Sequence, residues 1–216
     1  MPALLRAIVE SALVTFSSVF FLVDPFAVIP IFLSVAPADR AESRRVARRA
    51  AWTCALVLAA FAAGGALIFQ LFSITLPAFK IAGGIILIGI GLEMLQARRS
   101  ETKQTPEEAA ENAHKEDPSI IPLGMPMLAG PGAIADVMVL MGDAKGWWHV
   151  VILFAAIALT SWLAYVILGG AERLARTLGQ TGIRIMTRIM GLILVAIAVQ
   201  FIINGFADLG WVKRLH

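Results

Sequence analysis

The residues best suited to do chemistry in this chain lie in two short segments inside long apolar runs. One is Asp24-Pro25-Phe26-Ala27-Val28-Ile29-Pro30 and the other is Leu123-Gly124-Met125-Pro126-Met127-Leu128-Ala129-Gly130-Pro131-Gly132-Ala133. Both hold the spacing P-x4-P. Proline removes a backbone donor and crowds the carbonyl four residues back, so two prolines five apart open a helical ladder. Asp24 before Pro25 reads as a helix start, with the carboxylate as N-cap and the proline in the first turn. Pro30 offers a second start, and Gly130 ahead of Pro131 offers the corresponding one in the later segment. A new amino end presents free N–H groups and about half a positive charge, the chemistry that holds a carboxylate or another small anion. Asp24 then either caps its own helix or meets an ammonium group, Na+ or H+. A kink stabilised by Ser17 and Ser18 is the plainer reading of either break alone; two matched breaks favour a binding site.

The elements that carry these segments are apolar. Of 216 residues, 59% are apolar and 15% charged, and mean hydropathy is +0.82. Soluble domains run near half apolar and a quarter charged, so lipid is the expected solvent. A secreted disulfide scaffold, a disordered segment and a nucleic-acid-binding domain are excluded. The lone Cys54 can form no internal disulfide. Runs of about 20 apolar residues, the length that crosses a bilayer, fall at 11–35, 51–72, 78–97, 119–142, 148–170 and 186–207. This predicts an all-α polytopic membrane protein with six transmembrane helices, the first and fourth broken. No cleavable signal peptide is evident, since Arg6 and Glu10 precede a run too long for one.

Thirteen of the 18 Lys and Arg residues fall on one side of six spans. They are Arg40, Arg44, Arg45, Arg48 and Arg49 after the first span, Arg98, Arg99, Lys103 and Lys115 after the third, and Arg173, Arg176, Arg184 and Arg188 after the fifth. The positive-inside bias places that side in the cytoplasm and both termini outside. Trp52, Trp147, Trp148 and Trp211 fall at predicted span ends, whereas Trp162 falls in mid-span.

The two halves resemble each other beyond the breaks. Gly84-Ile-Ile-Leu-Ile-Gly-Ile-Gly-Leu-Glu93 matches Gly191-Leu-Ile-Leu-Val-Ala-Ile-Ala-Val-Gln200. A single domain therefore divides into repeat 1 (1–97), a polar cytoplasmic linker (98–118) and repeat 2 (119–216). Three spans per copy is an odd number, so the second copy enters from the opposite face, the inverted-repeat plan of many secondary transporters. Two half-helix amino ends then point into the bilayer from opposite sides. Glu93 shares a narrow stripe with Ala82, Ile86, Gly89 and Gln96, and either lines the cavity or pairs with Arg98 or Arg99. Gln200 and Asn204, at i and i+4, either line it or bond between helices. Asp136 lies near the outer end of the fourth span, either within the membrane or at its interface.

Phe21-Leu-Val-Asp-Pro-Phe-Ala-Val-Ile-Pro-Ile-Phe32, Phe79-Lys-Ile-Ala-Gly-Gly84 and Ile121-Pro-Leu-Gly-Met-Pro-Met-Leu-Ala-Gly-Pro-Gly-Ala-Ile134 resemble the MarC family of inner-membrane proteins over essentially the whole chain. The family includes a small neutral amino acid transporter and is distantly similar to LysE-type exporters. The resemblance implies a glycine- or alanine-like substrate moved across the inner membrane by alternating access, with Na+ or H+ as the coupling ion and no other cofactor. Phe26-Ala27 departs from the smaller Ile-Gly pair of many members, and its bulk narrows a cavity. The expected partners are a small-molecule substrate and the lipid bilayer, with a homo-oligomer left open and nucleic acid excluded.

Two other classes compete. An intramembrane enzyme is not expected, since H-E-x-x-H and G-x-S-x-G are lacking and His114, His149 and His216 lie at span ends, near them or at the terminus. Asp24 and Asp136 alone are thin support for an aspartyl dyad. A lipid-carrier translocase or a metal or ion exporter would share the architecture, although the chain offers few metal-binding side chains.

Overall fold

The computed structural model describes residues 2–37, 39–96 and 128–211, all built from helices and short turns. In chain order the helices are α1 (Pro2–Val23), α2 (Pro25–Val35), α3 (Arg40–Leu71), α4 (Leu76–Leu95), α5 (Pro131–Gly142), α6 (Trp147–Gly169) and α7 (Ala171–Asp208). Five stretches are long and apolar enough to cross a bilayer: Leu5–Val35, Arg40–Leu71, Leu76–Leu95, Trp147–Gly169 and Thr181–Asp208. The expected linker 98–118 and the first part of the expected fourth span, up to residue 127, lie outside the described residues. The second part of that span is α5, whose 12 residues rise about 18 Å.

Three span starts differ from those read off the apolar runs: the first helix already begins at Pro2 rather than at 11, and the other two differ for one physical reason. The arginines expected in connecting loops continue helices instead. Asp39 caps α3 through the Glu42 amide at 2.9 Å, and the helix then carries Arg40, Arg44, Arg45, Arg48 and Arg49 before its apolar part begins. Arginine is a good helix former, so hydropathy marks where lipid begins, not where the helix does. Likewise α7 starts at Ala171, with a break at Gly179, whose φ of 63° and ψ of 178° suit a residue lacking Cβ. The expected belt residue Trp52 accordingly lies well inside α3. Trp162 is exposed on α6.

Burial follows helical spacing. On α3, Ala47, Ala50, Cys54, Leu58 and Ala62 form the buried stripe, whereas Trp52, Leu56 and Leu67 on other faces are exposed. Such a spread of exposed large apolar side chains is the surface a lipid solvent permits. The buried stripes meet across the two halves. α3 packs on α5 and α6, α1 packs on α6 and α5, α4 packs on α5, and α2 packs on α7.

The closest pairing is between α4 and α7, which run antiparallel. A Cβ on Gly84 would stand 2.7 Å from the Ala198 carbonyl oxygen, one on Gly91 3.0 Å from that of Gly191, and one on Gly205 2.9 Å from that of Pro77. The small residues Gly84 and Gly91 thus recur seven apart along α4 and Gly191, Ala198 and Gly205 along α7. They let the two backbones touch, the usual route to affinity between helices in lipid. Gly91→Ala should therefore destabilise the protein by about 1–3 kcal/mol through overpacking. Gly89→Ala, where a Cβ meets nothing within 4 Å, should be neutral or gain up to about 1 kcal/mol from helix propensity. Thermal unfolding of the two variants in detergent checks the contrast.

Candidate functional site around the two interrupted spans

The first span is broken at one residue. The Asp24 amide closes α1 on the Phe20 carbonyl at 3.0 Å, and the chain then turns through φ 43° and ψ 67° at Asp24. This left-handed conformation costs an L-residue roughly 1–2 kcal/mol, and Asp is among the side chains that visit it. The Asp24 carboxylate is 3% exposed and accepts from the Ala27 amide at 3.3 Å, so it caps α2. Pro25 occupies the first turn, which resolves the ambiguity over the start. Pro30 lies inside α2 and is exposed. It denies the Phe26 carbonyl its helical donor. The break is off-centre, because α1 has 22 residues before it and α2 has 11 after it.

In the later segment α5 starts at Pro131, and this amino end is finished differently. Gly130 is the N-cap of α5 with φ −66° and ψ 167°, and among the described residues no side chain caps the helix. Ile134 donates to the Gly130 carbonyl at 3.0 Å, and Pro131 has no N–H. The amides left over in the first turn are those of Gly132 and Ala133, and both residues are buried. A Cβ on Gly132 would lie 2.5 Å from Leu87 Cδ2 and 3.5 Å from Leu22 Cδ2, so only glycine lets this end wedge between α4 and α1. Leu22 is two residues before Asp24. The α5 amino end thus packs on the last turn of α1, and of the two amino ends one carries a carboxylate cap while the other carries none.

Asp136 follows one turn into α5 and is fully buried within the protein. Its Oδ1 accepts from the Ser18 hydroxyl of α1 at 2.8 Å, while among the described residues its buried Oδ2 has no hydrogen-bond partner. Ser18 thus serves a side chain of the other half, where the sequence suggested backbone repair. Helical side chains lean toward the amino end, so the open carboxylate oxygen sits on the Gly132–Ala133 side of its helix. Asp24 and Asp136 have separate partners, a cap amide and a hydroxyl.

Phe26 and Ala27 are half-buried in the first turn of α2, and the Phe26 ring meets Phe20 edge-on at 6.2 Å. Pro25, Gly130, Gly132 and Ala133 are buried, whereas Pro131 is exposed. Gly124 and Pro126 lie outside the described residues. Glu93 is half-buried beside Met94, which packs on Gly191. Gln200 donates to Asn204 at 2.9 Å within α7, and Gln200 is exposed. The structure therefore sets the start of α5 against α1 and α4 and places Gln200 on an outer face. Among the described residues no group of His, Cys, Asp or Glu is arranged to hold a metal ion.

Sequence reasoning missed one polar cluster. Lys80 of α4 is 1% exposed, and its Nζ lies 2.7 Å from Asp143 Oδ2 and 2.6 Å from Asp208 Oδ2. It ties the start of α4 to the ends of α5 and α7. The signal available was a lysine just inside an apolar run, which reads equally as a snorkelling span end.

The bundle and its paired breaks define a multi-pass helical membrane protein. The family model described as MarC family integral membrane protein matches residues 9–209. The chain is 37% identical to a UPF0056 membrane protein of Aquifex aeolicus over 90% of this chain and 91% of that one. It is 39% identical to UPF0056 membrane protein MJ1677 of Methanocaldococcus jannaschii over 89% of this chain and 94% of that one. With UPF0056 membrane protein YhcE of Escherichia coli it shares 36% identity over 88% and 89% of the two chains. No solved structure matches. The chain belongs to the MarC family.

Lys80→Met leaves two carboxylates without their cation. It should lower stability by about 2–3 kcal/mol, below the ~3–5 kcal/mol of a fully buried pair because Asp143 is half-exposed. Adding Asp143→Asn and Asp208→Asn should recover more than half of the loss. Unfolding of the single and triple variants in detergent measures both.

Proposed function

We propose that the two breaks form the binding site of a secondary transporter for small neutral amino acids of the glycine or alanine kind. The observation that carries this reading is the buried, uncapped amino end of α5, with an open carboxylate oxygen of Asp136 one turn away. Amides at a helix amino end suit a substrate carboxylate, and buried carboxylates suit an ammonium group or a coupling Na+ or H+. Asp24 supplies the second carboxylate, from a conformation held at a cost that its own cap only partly offsets. Leu87 packs on Gly132 at the α5 amino end, and Phe26 lies in the first turn of α2.

The packing supports an inverted repeat. Exchanging the halves turns the α3–α5 contact into the α6–α2 contact, and the α4–α5 contact into the α7–α2 contact, and both counterparts are present. The antiparallel third helices, α4 and α7, agree with three spans per half. In this reading the site sits on the pseudo-two-fold axis and opens alternately to either side as one half rocks against the other. The arginine-rich ends face the cytoplasm of a bacterial-type inner membrane, and both termini lie outside.

Proteoliposomes holding the full chain should take up or release labelled glycine or alanine above empty vesicles when a Na+ or H+ gradient is imposed. Asp136→Asn keeps the size of the side chain and removes its charge. It should lower that flux by about tenfold, the scale of one lost charge-assisted hydrogen bond. No flux above empty vesicles for either substrate would overturn the proposal.

A further inference from the structure

At the arginine-rich end of the bundle, well away from the Lys80 cluster, four helix ends surround a cavity of about 490 Å3. The last turn of α2, the first turns of α3 and α7 and the last turn of α6 form its walls. Three arginines, Arg40, Arg44 and Arg173, all exposed, are among its lining residues beside one acidic residue, Glu172. Glu172 is shared at 3.9 Å with Arg40 and at 3.7 Å with Arg176. Among the described residues Arg44 and Arg173 have no carboxylate partner within salt-bridge distance. The lining therefore carries an excess of positive charge, with three arginines contributed by two different helices to one hollow.

We propose that this cavity binds a phosphate ester. A planar guanidinium offers two parallel donors that match the oxygens of a phosphate, which a point charge such as lysine does not. Three of them around one hollow suit a group bearing one to two negative charges better than a single carboxylate. Tyr165 and Ser43 place hydroxyls in the same lining. The side toward the bundle is apolar, with Phe32 and Leu168 buried at its base. Gly169 carries no side chain, and the Arg44 stem lies 3.9 Å from where its Cβ would stand, so the cavity stays open along that edge. Cations above an apolar base fit an ester whose phosphate meets the arginines and whose organic part enters below them. Basic hollows between helices at this depth meet anionic lipid headgroups, and a soluble phosphate ester offers the same chemistry. The inference does not rest on the transport reading, because the cavity stands at the other end of α2 from Asp24.

Native mass spectrometry of the full chain in detergent tests it, with phosphatidylglycerol and phosphatidylcholine of equal chain length as probes. The wild-type protein should retain phosphatidylglycerol preferentially. Arg44→Gln with Arg173→Gln should lower that preference by about tenfold. Arg184→Gln with Arg188→Gln, an equal loss of charge elsewhere on α7, should leave it unchanged. Arg44→Lys with Arg173→Lys keeps the charge and removes the fork, and should show an intermediate loss even if the Gln pair fails to fold. Competition by millimolar glycerol phosphate identifies a soluble ester as the ligand, and its absence identifies a lipid headgroup. A preference unchanged by both the Gln and the Lys pairs, or reduced equally by the control pair, would overturn the proposal.

Discussion

In hydrocarbon a backbone amide or carbonyl without a partner costs several kcal/mol, so a span can be interrupted only where protein or water receives the loosened groups. Here both interruptions are inside the bundle. Asp24 and Pro25 are buried at the first, Gly130, Gly132 and Ala133 at the second. Everything that packs around them serves that requirement. α1 and α4 close on Gly132 through Leu22 and Leu87, and Ser18 reaches across to Asp136. The small-residue seam of α4 and α7 holds the third helices of the two halves together behind the breaks.

The two amino ends are alike in origin and unlike in finish. Proline follows the cap at both and starts the helix there. At the first, a carboxylate takes one amide and adopts a left-handed backbone to do so. At the second, glycine leaves the amides bare and lets neighbouring leucines approach. Under the proposed transport function, that asymmetry would give a small zwitterion a direction, its anionic end toward α5 and its cationic end toward the carboxylates of Asp24 and Asp136.

Local signals were legible in the sequence and distant ones were not. Asp-Pro and Gly-Pro announce helix starts by themselves, and both starts fall where those pairs stand. Pro30 was ambiguous because a proline suits a first turn and also occurs inside membrane helices, where it sits here. Hydropathy located the apolar part of α3 and α7 but missed the helical turns before it, since arginine favours helix and disfavours lipid. Lys80 meets Asp143 and Asp208, which lie 63 and 128 residues away, and Ser18 meets Asp136 across 118 residues. No periodicity within one helix encodes such meetings. The small residues seven apart were present in the repeat, but their contact required knowing that α4 and α7 run antiparallel.

The central proposal, a binding site at the two helix amino ends, requires that water reach them. Single cysteines at Ala27 and Ile134, both half-buried in first turns, report on it directly in a chain whose Cys54 is replaced by Ala. Both should react with a small, charged, water-soluble thiol reagent in native membranes, while a cysteine at the exposed, lipid-facing Leu56 should not. Reaction at neither first-turn position, or at all three alike, would contradict it.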